Sequence, residues 1–244
     1  MLKARIWIPL FIVFYFLFAL VNMPVGFIWK YVSPYIHVAN IKVDNLGGTL
    51  WQGSGNISFR RDMATVKWDI SPASLFLGKV AGDITITNPV ANVTSQFSTG
   101  LSGFKVSHLN GYVEDMLVNP YLSSYKVKVS GRLWIEDVSL TGNYSGSVED
   151  IAVTANWTGG EVSYPVGRDI HTRQIPAMDI VATPVADKTT FSVKDKESKP
   201  IISGELLADG WMTVNLHKHM IEVADEAWPT GNQDIIFSSK QKVF

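Results

Sequence analysis

The chain contains no cysteine, which removes disulfides, thiolate-ligated zinc, thiol catalysis and iron–sulfur clusters together. Charge is scarce as well: 18% of the 244 residues are charged, against roughly 25% in soluble globular proteins. With 21 Lys+Arg against 22 Asp+Glu the formal net charge is −1, so no long-range positive field gathers phosphates and no nucleic-acid partner is expected. The patterns G-x-x-x-x-G-K-S/T, G-x-S-x-G and H-E-x-x-H do not occur. With them go the phosphate loop, the nucleophile elbow and the zinc-protease helix. What is abundant is apolar: 46% of residues, with 12 Phe, 8 Trp and 8 Tyr, too much for a chain that stays solvated.

Part of that surplus is concentrated at the N-terminus. Between Arg5 and Lys30 lie 24 residues without a charge, Ile6 to Trp29. As one helix they would run about 36 Å, enough to span a hydrocarbon layer of about 30 Å, and they are predicted to be membrane-spanning. Lys3 and Arg5 precede the run, which places the N-terminus in the cytoplasm and the rest across the membrane. Trp7 at one end and Trp29, Tyr31 and Tyr35 at the other suit the interfacial belts. A cleaved signal peptide is the rival, but the run exceeds the roughly 7–15 apolar residues of such a signal and no A-x-A site follows it. The expected organisation is a cytoplasmic N-terminus and signal anchor over 1–30, and an exported β-rich domain over 31–244. Lys3, Arg5 and Lys30 fall in the first part, leaving 18 basic against 22 acidic residues, a net of −4, in the second.

From residue 38 the pattern becomes period-2 alternation broken by Gly, Asn, Asp and Ser, which predicts half-buried antiparallel strands. Ile41 and Val43, Ile57 and Phe59, and Val66, Trp68 and Ile70 alternate with polar residues. The pattern returns at Leu133 and Ile135, Val138 and Leu140, Ile151 and Val153, Phe191 and Val193, and Met212, Val214 and Leu216. Ser71-Pro72 through Leu77 with Gly78 behind it predicts one short helix, and His219 to Trp228, ended by Pro229, a second. Neither is long enough for a βαβ layer. The fold expected is mainly β: a transmembrane helix followed by a curved antiparallel sheet, a meander with one or two short helices. Residues 84–104 carry no charge at all; covered strands, a Ser/Thr surface and a docking surface remain open readings. Gly48 to Gly78 and Gly142 to Gly160 also echo each other weakly.

Candidate chemistry is thin. His217 and His219 would share a strand face, but two imidazoles with only Glu222 and Asp225 nearby make a poor metal site, and ordinary surface histidines are expected. The pairs Glu114-Asp115, Glu136-Asp137 and Glu149-Asp150 are expected at turns or edges, since neighbours on a strand point to opposite faces and cannot act together on one bond. Lys188, Lys194, Asp195, Lys196, Glu197 and Lys199 read as a solvated hairpin tip. Trp51, Trp68, Trp134 and Trp157 fall at apolar positions and are expected in the core. No catalytic, cofactor-binding or metal residue is assigned, no cofactor is expected, and no enzyme.

The residues Gly48-Thr49-Leu50-Trp51-Gln52-Gly53, followed by Val66-Lys67-Trp68-Asp69-Ile70-Ser71-Pro72-Ala73-Ser74-Leu75 with Gly78, resemble the G-T-L-W-x-G and V-x-W-x-L-x-P-x-x-L-x-x-G pattern of the type II secretion system protein N family. Ile70 stands where the pattern has Leu, a volume-conserving change. The likeness continues more loosely through Ser130-Gly131-Arg132-Leu133 and Trp157-Thr158-Gly159-Gly160. The resemblance implies an accessory protein of the bacterial inner membrane, its C-terminal domain in the periplasm, supporting export of folded proteins across the outer membrane. The implied partners are the membrane and other secretion subunits, a secretin or an inner-membrane platform. The family is also similar to AsmA-like proteins, whose curved sheets are associated with lipid handling, so a lipid-binding or lipid-transfer module is the alternative function and lipid a further candidate partner. The motif implies no catalytic residues. Gly48 and Gly53 would permit tight backbone geometry, Trp51 and Trp68 would fill the covered face, and Pro72 would start the short helix.

Overall fold

The computed structural model describes residues 2–35, 41–59, 62–144, 148–226 and 233–243. Two compact units divide the chain, Met1–Asn88 and Pro89–Phe244.

The first unit begins with α1 (Leu2–Val21) and α2 (Val25–Val32), followed by β1 (Ile41–Gly48), β2 (Gln52–Phe59), β3 (Asp62–Ile70) and β4 (Val80–Asn88). The strands pair in chain order, each antiparallel to the next. The uncharged run Ile6 to Trp29 is therefore not one helix, which corrects the sequence expectation. It breaks where Asn22 turns its side-chain amide back onto the Phe18 carbonyl, 2.8 Å away, and where Pro24, extended at φ −66° and ψ 132°, has no N–H to continue the ladder. Among the described residues no helix is long and apolar enough to cross a membrane. Between β3 and β4 the predicted short helix is present as a 3₁₀ turn, Pro72–Leu77. Pro72 opens it, and Gly78, left-handed at φ 69°, closes it with its N–H on the Leu75 carbonyl.

The second unit holds β5 (Ala91–Thr99), β6 (Gly103–Glu114), α3 (Asp115–Leu122), β7 (Lys128–Val129), β8 (Arg132–Asn143), β9 (Val148–Trp157), β10 (Gly160–Val166), β11 (Asp169–Ile175), β12 (Met178–Val185), β13 (Lys188–Asp195), β14 (Pro200–Leu207), β15 (Trp211–His217), α4 (His219–Val223) and β16 (Ile235–Lys242). Its main sheet runs β5-β6-β8-β9-β12-β13-β14-β15-β16, and β11-β10-β7 form a small sheet of their own. The main sheet is thus an antiparallel meander interrupted by two excursions, α3 with β7 and β10 with β11. It is open at β16, where Lys240 and Lys242 charge the free edge.

Register explains the apolar pattern. Val113, Leu133, Trp157 and Met178 stand opposite one another across four strands, and Ile135, Ala155, Ile180, Val193 and Ile202 form a second row. Opposed residues share a face, so these rows make one apolar surface. The predicted runs Leu133/Ile135 and Val138/Leu140 have opposite parity yet lie in a single strand, β8. The register slips between Ile135 and Asp137, and the extra residue turns the phase over. The two excursions and α4 cover this surface. Ile175 and Ile201, each 1% exposed, pack there with Met178 and Ala224, each large side chain contributing about 1.5–3 kcal/mol by burial.

Other expectations change on contact with the fold. The helix predicted over His219 to Trp228 ends at Val223, residues 224–226 forming a turn and no helix, while Trp228 and Pro229 lie outside the described residues. Helix α3 was not predicted, and it carries Pro120 inside it. Its Asn119 does a strand's work, donating to the Val129 carbonyl and accepting the Val129 N–H, both at 2.8 Å. Glu136-Asp137 and Glu149-Asp150 lie inside β8 and β9 rather than at turns. Within 84–104, Ala91 and Ser95 are buried while Leu101 is 97% exposed.

Candidate functional site

Two clasps built on tryptophan organise the chain, one in each unit. In the first, the Thr49 hydroxyl accepts the backbone N–H groups of Trp51 and Gln52, and the Thr49 N–H reaches the Gln52 carbonyl at 2.8 Å, closing the turn between β1 and β2. The turn carries Trp51, buried at 8% exposure, whose indole N–H donates to the Leu20 carbonyl at 3.0 Å. The Leu50 N–H donates to the Met23 carbonyl at 3.0 Å, and Pro24 bridges Thr49. Carbonyls at a helix end have no helical partner, and here the turn supplies one. Trp68 is half-buried and donates to the carbonyls of Thr49 and Leu50. Gly53 admits its ring, since a Cβ there would lie 2.4 Å from Trp68 Cζ2. Gly48, at φ 93°, would bring a Cβ to 2.4 Å from the Gln52 carbonyl oxygen. The motif residues thus fasten the N-terminal helices to the first hairpin.

The second clasp joins two stretches that are far apart in sequence. Ser130-Gly131-Arg132-Leu133 and Trp157-Thr158-Gly159-Gly160 are bonded to each other directly. The Trp157 indole N–H donates to the Ser130 carbonyl at 3.0 Å, Arg132 and Thr158 exchange bonds at 3.0 Å, and the Glu161 N–H donates to the Ser130 hydroxyl at 2.6 Å. Gly131, at φ 97°, would put a Cβ 2.3 Å from the Gly159 carbonyl oxygen.

Behind this clasp lies an apolar cavity of about 310 Å³ between the main sheet and its cover. Leu133, Trp157, Ile180 and Val193 line the sheet side, with Val118 of α3 and Met220 of α4 on the other. Asp115 is the single charged residue among its lining. Asp115 and Gly131 also border a polar pocket that contains Glu114, Arg132, Trp134 and Thr158. There Arg132 Nη2 donates to Glu114 at 2.6 Å, and the guanidinium lies 4.5 Å from the Tyr112 ring centroid and 5.3 Å from that of Trp134. Trp134 is 42% exposed, so it belongs to this surface and not to the core as expected.

The histidines also depart from expectation. His217 is buried, its Nε2 2.7 Å from the Ser203 hydroxyl and its Nδ1 2.7 Å from Asp234. This serine–histidine–aspartate relay joins β14, β15 and the residue before β16. The cavity lining on β14 is Ile201 and Ile202, not Ser203, and we assign the relay no catalytic role. His219 opens α4 and bonds Asp195 through Nε2 at 2.5 Å and Glu222 through Nδ1 at 2.9 Å. Asp195 is buried rather than solvated and also accepts the N–H groups of Glu197 and Lys199. On the other side of α4, Glu226 takes bonds from Tyr164 and His171 and faces Arg173 at 3.3 Å. Burial, with the bond to Glu226 and its charge, pushes the Tyr164 phenol up to about 12. Among the described residues no group of three His, Asp or Glu side chains is arranged to hold a metal ion.

These contacts make the docking of α4 pH-dependent. The bond to Glu222, helped by that to Asp195, raises the His219 pKa despite burial. Burial draws the Asp195 carboxyl upward, but its bonds from His219 and two backbone amides leave it below its ordinary value. Glu222 is lowered by its bond from His219, with Lys218 and Lys199 assisting. The His219 contribution is complete below its ordinary 6.5 and is lost as pH rises through the raised value. The carboxylate contributions are present above the ordinary 3.8 and 4.5 and are lost as pH falls through the lowered ones. Hydrogen exchange of the Met220–Val223 amides, corrected for intrinsic rate, is expected to show more protection at about pH 6 than at about pH 8, and His219→Gln to remove the difference. Equal protection at both pH values would eliminate His219 as the fastening.

Comparison with known proteins adds one match. Residues 39–216 fit the family model described as type II secretion system (T2SS), protein N, a span containing the hairpin side of the first clasp and the whole of the second. No curated protein and no solved structure matches the chain.

Proposed function

The chain belongs to the type II secretion system protein N family, and from that premise we propose that it is an accessory component of the secretion machine, held in the inner membrane by its apolar N-terminal run with residues 31–244 in the periplasm. The family match over residues 39–216 carries this reading. The character of α1 supports the anchor: it is apolar on every side, with Trp7, Phe11, Phe14, Phe16 and Phe18 all exposed, and a helix apolar all round is at home in lipid rather than on a water-facing surface. The first clasp would then hold the sheet close to the membrane, because Trp51 and Leu50 grip the chain at Leu20, in the last turn of α1, and at Met23, just after it. Contacts with other subunits, a secretin or an inner-membrane platform, are made by exposed apolar groups. Phe76, 91% exposed, and Leu77 project from the 3₁₀ turn that follows the motif, and adjacent exposed apolar residues are a mark of interaction sites.

A photo-crosslinking residue at position 76, introduced into the full chain in its own envelope, tests this. The expected result is a discrete adduct with another secretion subunit, and retention of the protein in the membrane fraction after carbonate washing. Release by carbonate would overturn the anchor. A cell lacking the protein that secretes folded substrates at the normal rate would overturn the accessory role.

A further inference from the structure

The main sheet of the second unit stops at β16, and among the described residues no strand lies on its far side. We propose that this edge receives one further antiparallel strand, an extended acidic segment of a partner protein.

The backbone is prepared for it. The Val243 N–H donates to the Gly210 carbonyl at 2.8 Å, and these two residues stand opposite each other in the register that pairs Trp211 with Lys242. Bonded and non-bonded pairs alternate along an antiparallel ladder. Gln241, Ser239 and Phe237 therefore turn their main-chain groups toward β15, and Lys242, Lys240 and Ser238 turn theirs outward. The far end keeps the same phase on β15, where the Lys218 N–H donates to the Asp234 carbonyl at 2.7 Å. Three N–H and three C=O groups thus line an edge that has no strand to bond, the template on which an extended peptide adds to a sheet.

Side chains choose the strand. Each incoming residue stands opposite one of β16 and on the same face. On one face Ser238, Lys240 and Lys242 stand together, with Lys240 Nζ 5.4 Å from the Trp211 ring centroid and the Ser238 hydroxyl donating to Asn215 at 2.7 Å. β16 has no acidic residue, so acidic residues are the match on that face. On the other face Phe237 prolongs the apolar row of Val193, Ile202 and Leu216 and is 58% exposed at its end. An apolar side chain opposite Phe237 completes that row. Lysines alone would blunt the edge against any neighbour, whereas an exposed aromatic ring in line with the core invites one. Together they select an occupant. A second copy of β16 is a poor one, because it would bring four lysines to one seam with no carboxylate between them.

This surface is independent of the secretion role and is read on the purified full-length protein. The probe is the acetylated, amidated hexapeptide Glu-Val-Glu-Val-Thr-Val, whose antiparallel register sets its glutamates opposite Lys242 and Lys240 and its last valine opposite Phe237. Hydrogen exchange resolved to single amides is expected to slow at Ser238, Lys240 and Lys242 when the peptide is added. Exchange at Ser239 and Gln241, already bonded to β15, is expected to stay as it was. A peptide with lysine in place of each glutamate is expected to bind about tenfold more weakly or worse. The same loss is expected for the original peptide methylated on the amide nitrogens of its second glutamate and its threonine, which removes two ladder donors. Lys240→Glu combined with Lys242→Glu is expected to reverse the preference between the two charged peptides while cooperative thermal unfolding is kept. No slowing at the three amides in millimolar peptide overturns the proposal, and so does equal binding of the methylated peptide, which would mean charge attraction without an added strand. Equal binding of the lysine peptide overturns the acidic partner. Protection of the same amides that rises with protein concentration alone assigns the edge to a second copy and overturns it too.

Discussion

Trp51→Ala is expected to cost about 3–5 kcal/mol of unfolding free energy in the first unit, the range for deleting a buried aromatic ring. The residue is 8% exposed, so most of its surface is removed from water. Its indole N–H also bonds the Leu20 carbonyl at the end of α1 at 3.0 Å, a group that otherwise takes a long bond from the Met23 N–H at 3.4 Å. Trp51→Phe separates the two effects, since it keeps most of the ring volume and removes only the N–H; that variant is expected to lose about 1 kcal/mol. The full-length protein in lipid nanodiscs, unfolded by denaturant and followed by exchange of the amides between Thr49 and Gly53, provides the measurement. If Trp51→Ala leaves the midpoint where it was, the clasp does not hold the helices to the hairpin.

The same clasp shows what sequence alone made legible. Period-2 alternation marked β1, β2, β3, β8, β9, β13 and β15 because a half-buried sheet enforces it residue by residue. Trp51 in its G-T-L-W-x-G context and Trp68 in its V-x-W context were also marked as structural. Their partners were not readable. Gly53 looks like a turn residue, yet it is fixed by the Trp68 ring fifteen positions on. The break at Pro24 was visible as a proline in an apolar run, but the length of the run argued for one helix, and only the bridge to Thr49 shows why the chain turns there.

In the second unit the limits are topological. Nothing local reveals that α3, β7, β10 and β11 return over the apolar rows of the sheet, so neither the cavity nor its cover was readable from periodicity. His217 and His219 have the spacing of surface strand residues. Their partners, Ser203 and the buried Asp195, are fourteen and twenty-four positions away. Leu133 and Val138 carried the right apolar signal, but the slip between Ile135 and Asp137 that puts them in one strand left no signature beyond a change of parity. Ser130–Leu133 and Trp157–Gly160 stood out only as two weak likenesses, although they are a single bonded structure.

That structure predicts the other large effect. Gly131→Val should destabilise the second unit by about 2–6 kcal/mol, from roughly 1–3 for a branched side chain forced to a positive φ and roughly 1–3 for the polar groups it separates. The backbone sits at φ 97°, and the new Cβ would come within 2.3 Å of the Gly159 carbonyl oxygen and 3.0 Å of the Trp157 indole nitrogen. Neither Gly159 nor the indole can yield without giving up the bonds that tie 130–133 to 157–160. Gly167 supplies the control: it too has positive φ, 63°, but a Cβ there meets nothing within 4 Å. Gly167→Ala is expected to cost only the backbone preference, about 1–2 kcal/mol, and Gly131→Ala distinctly more. Denaturant midpoints of the two alanine variants, with near-ultraviolet dichroism reporting the fixed tryptophans, measure the difference. Equal costs at the two glycines would mean that the approach of the two stretches contributes nothing beyond backbone conformation, and that the wall of the cavity is not held by this clasp.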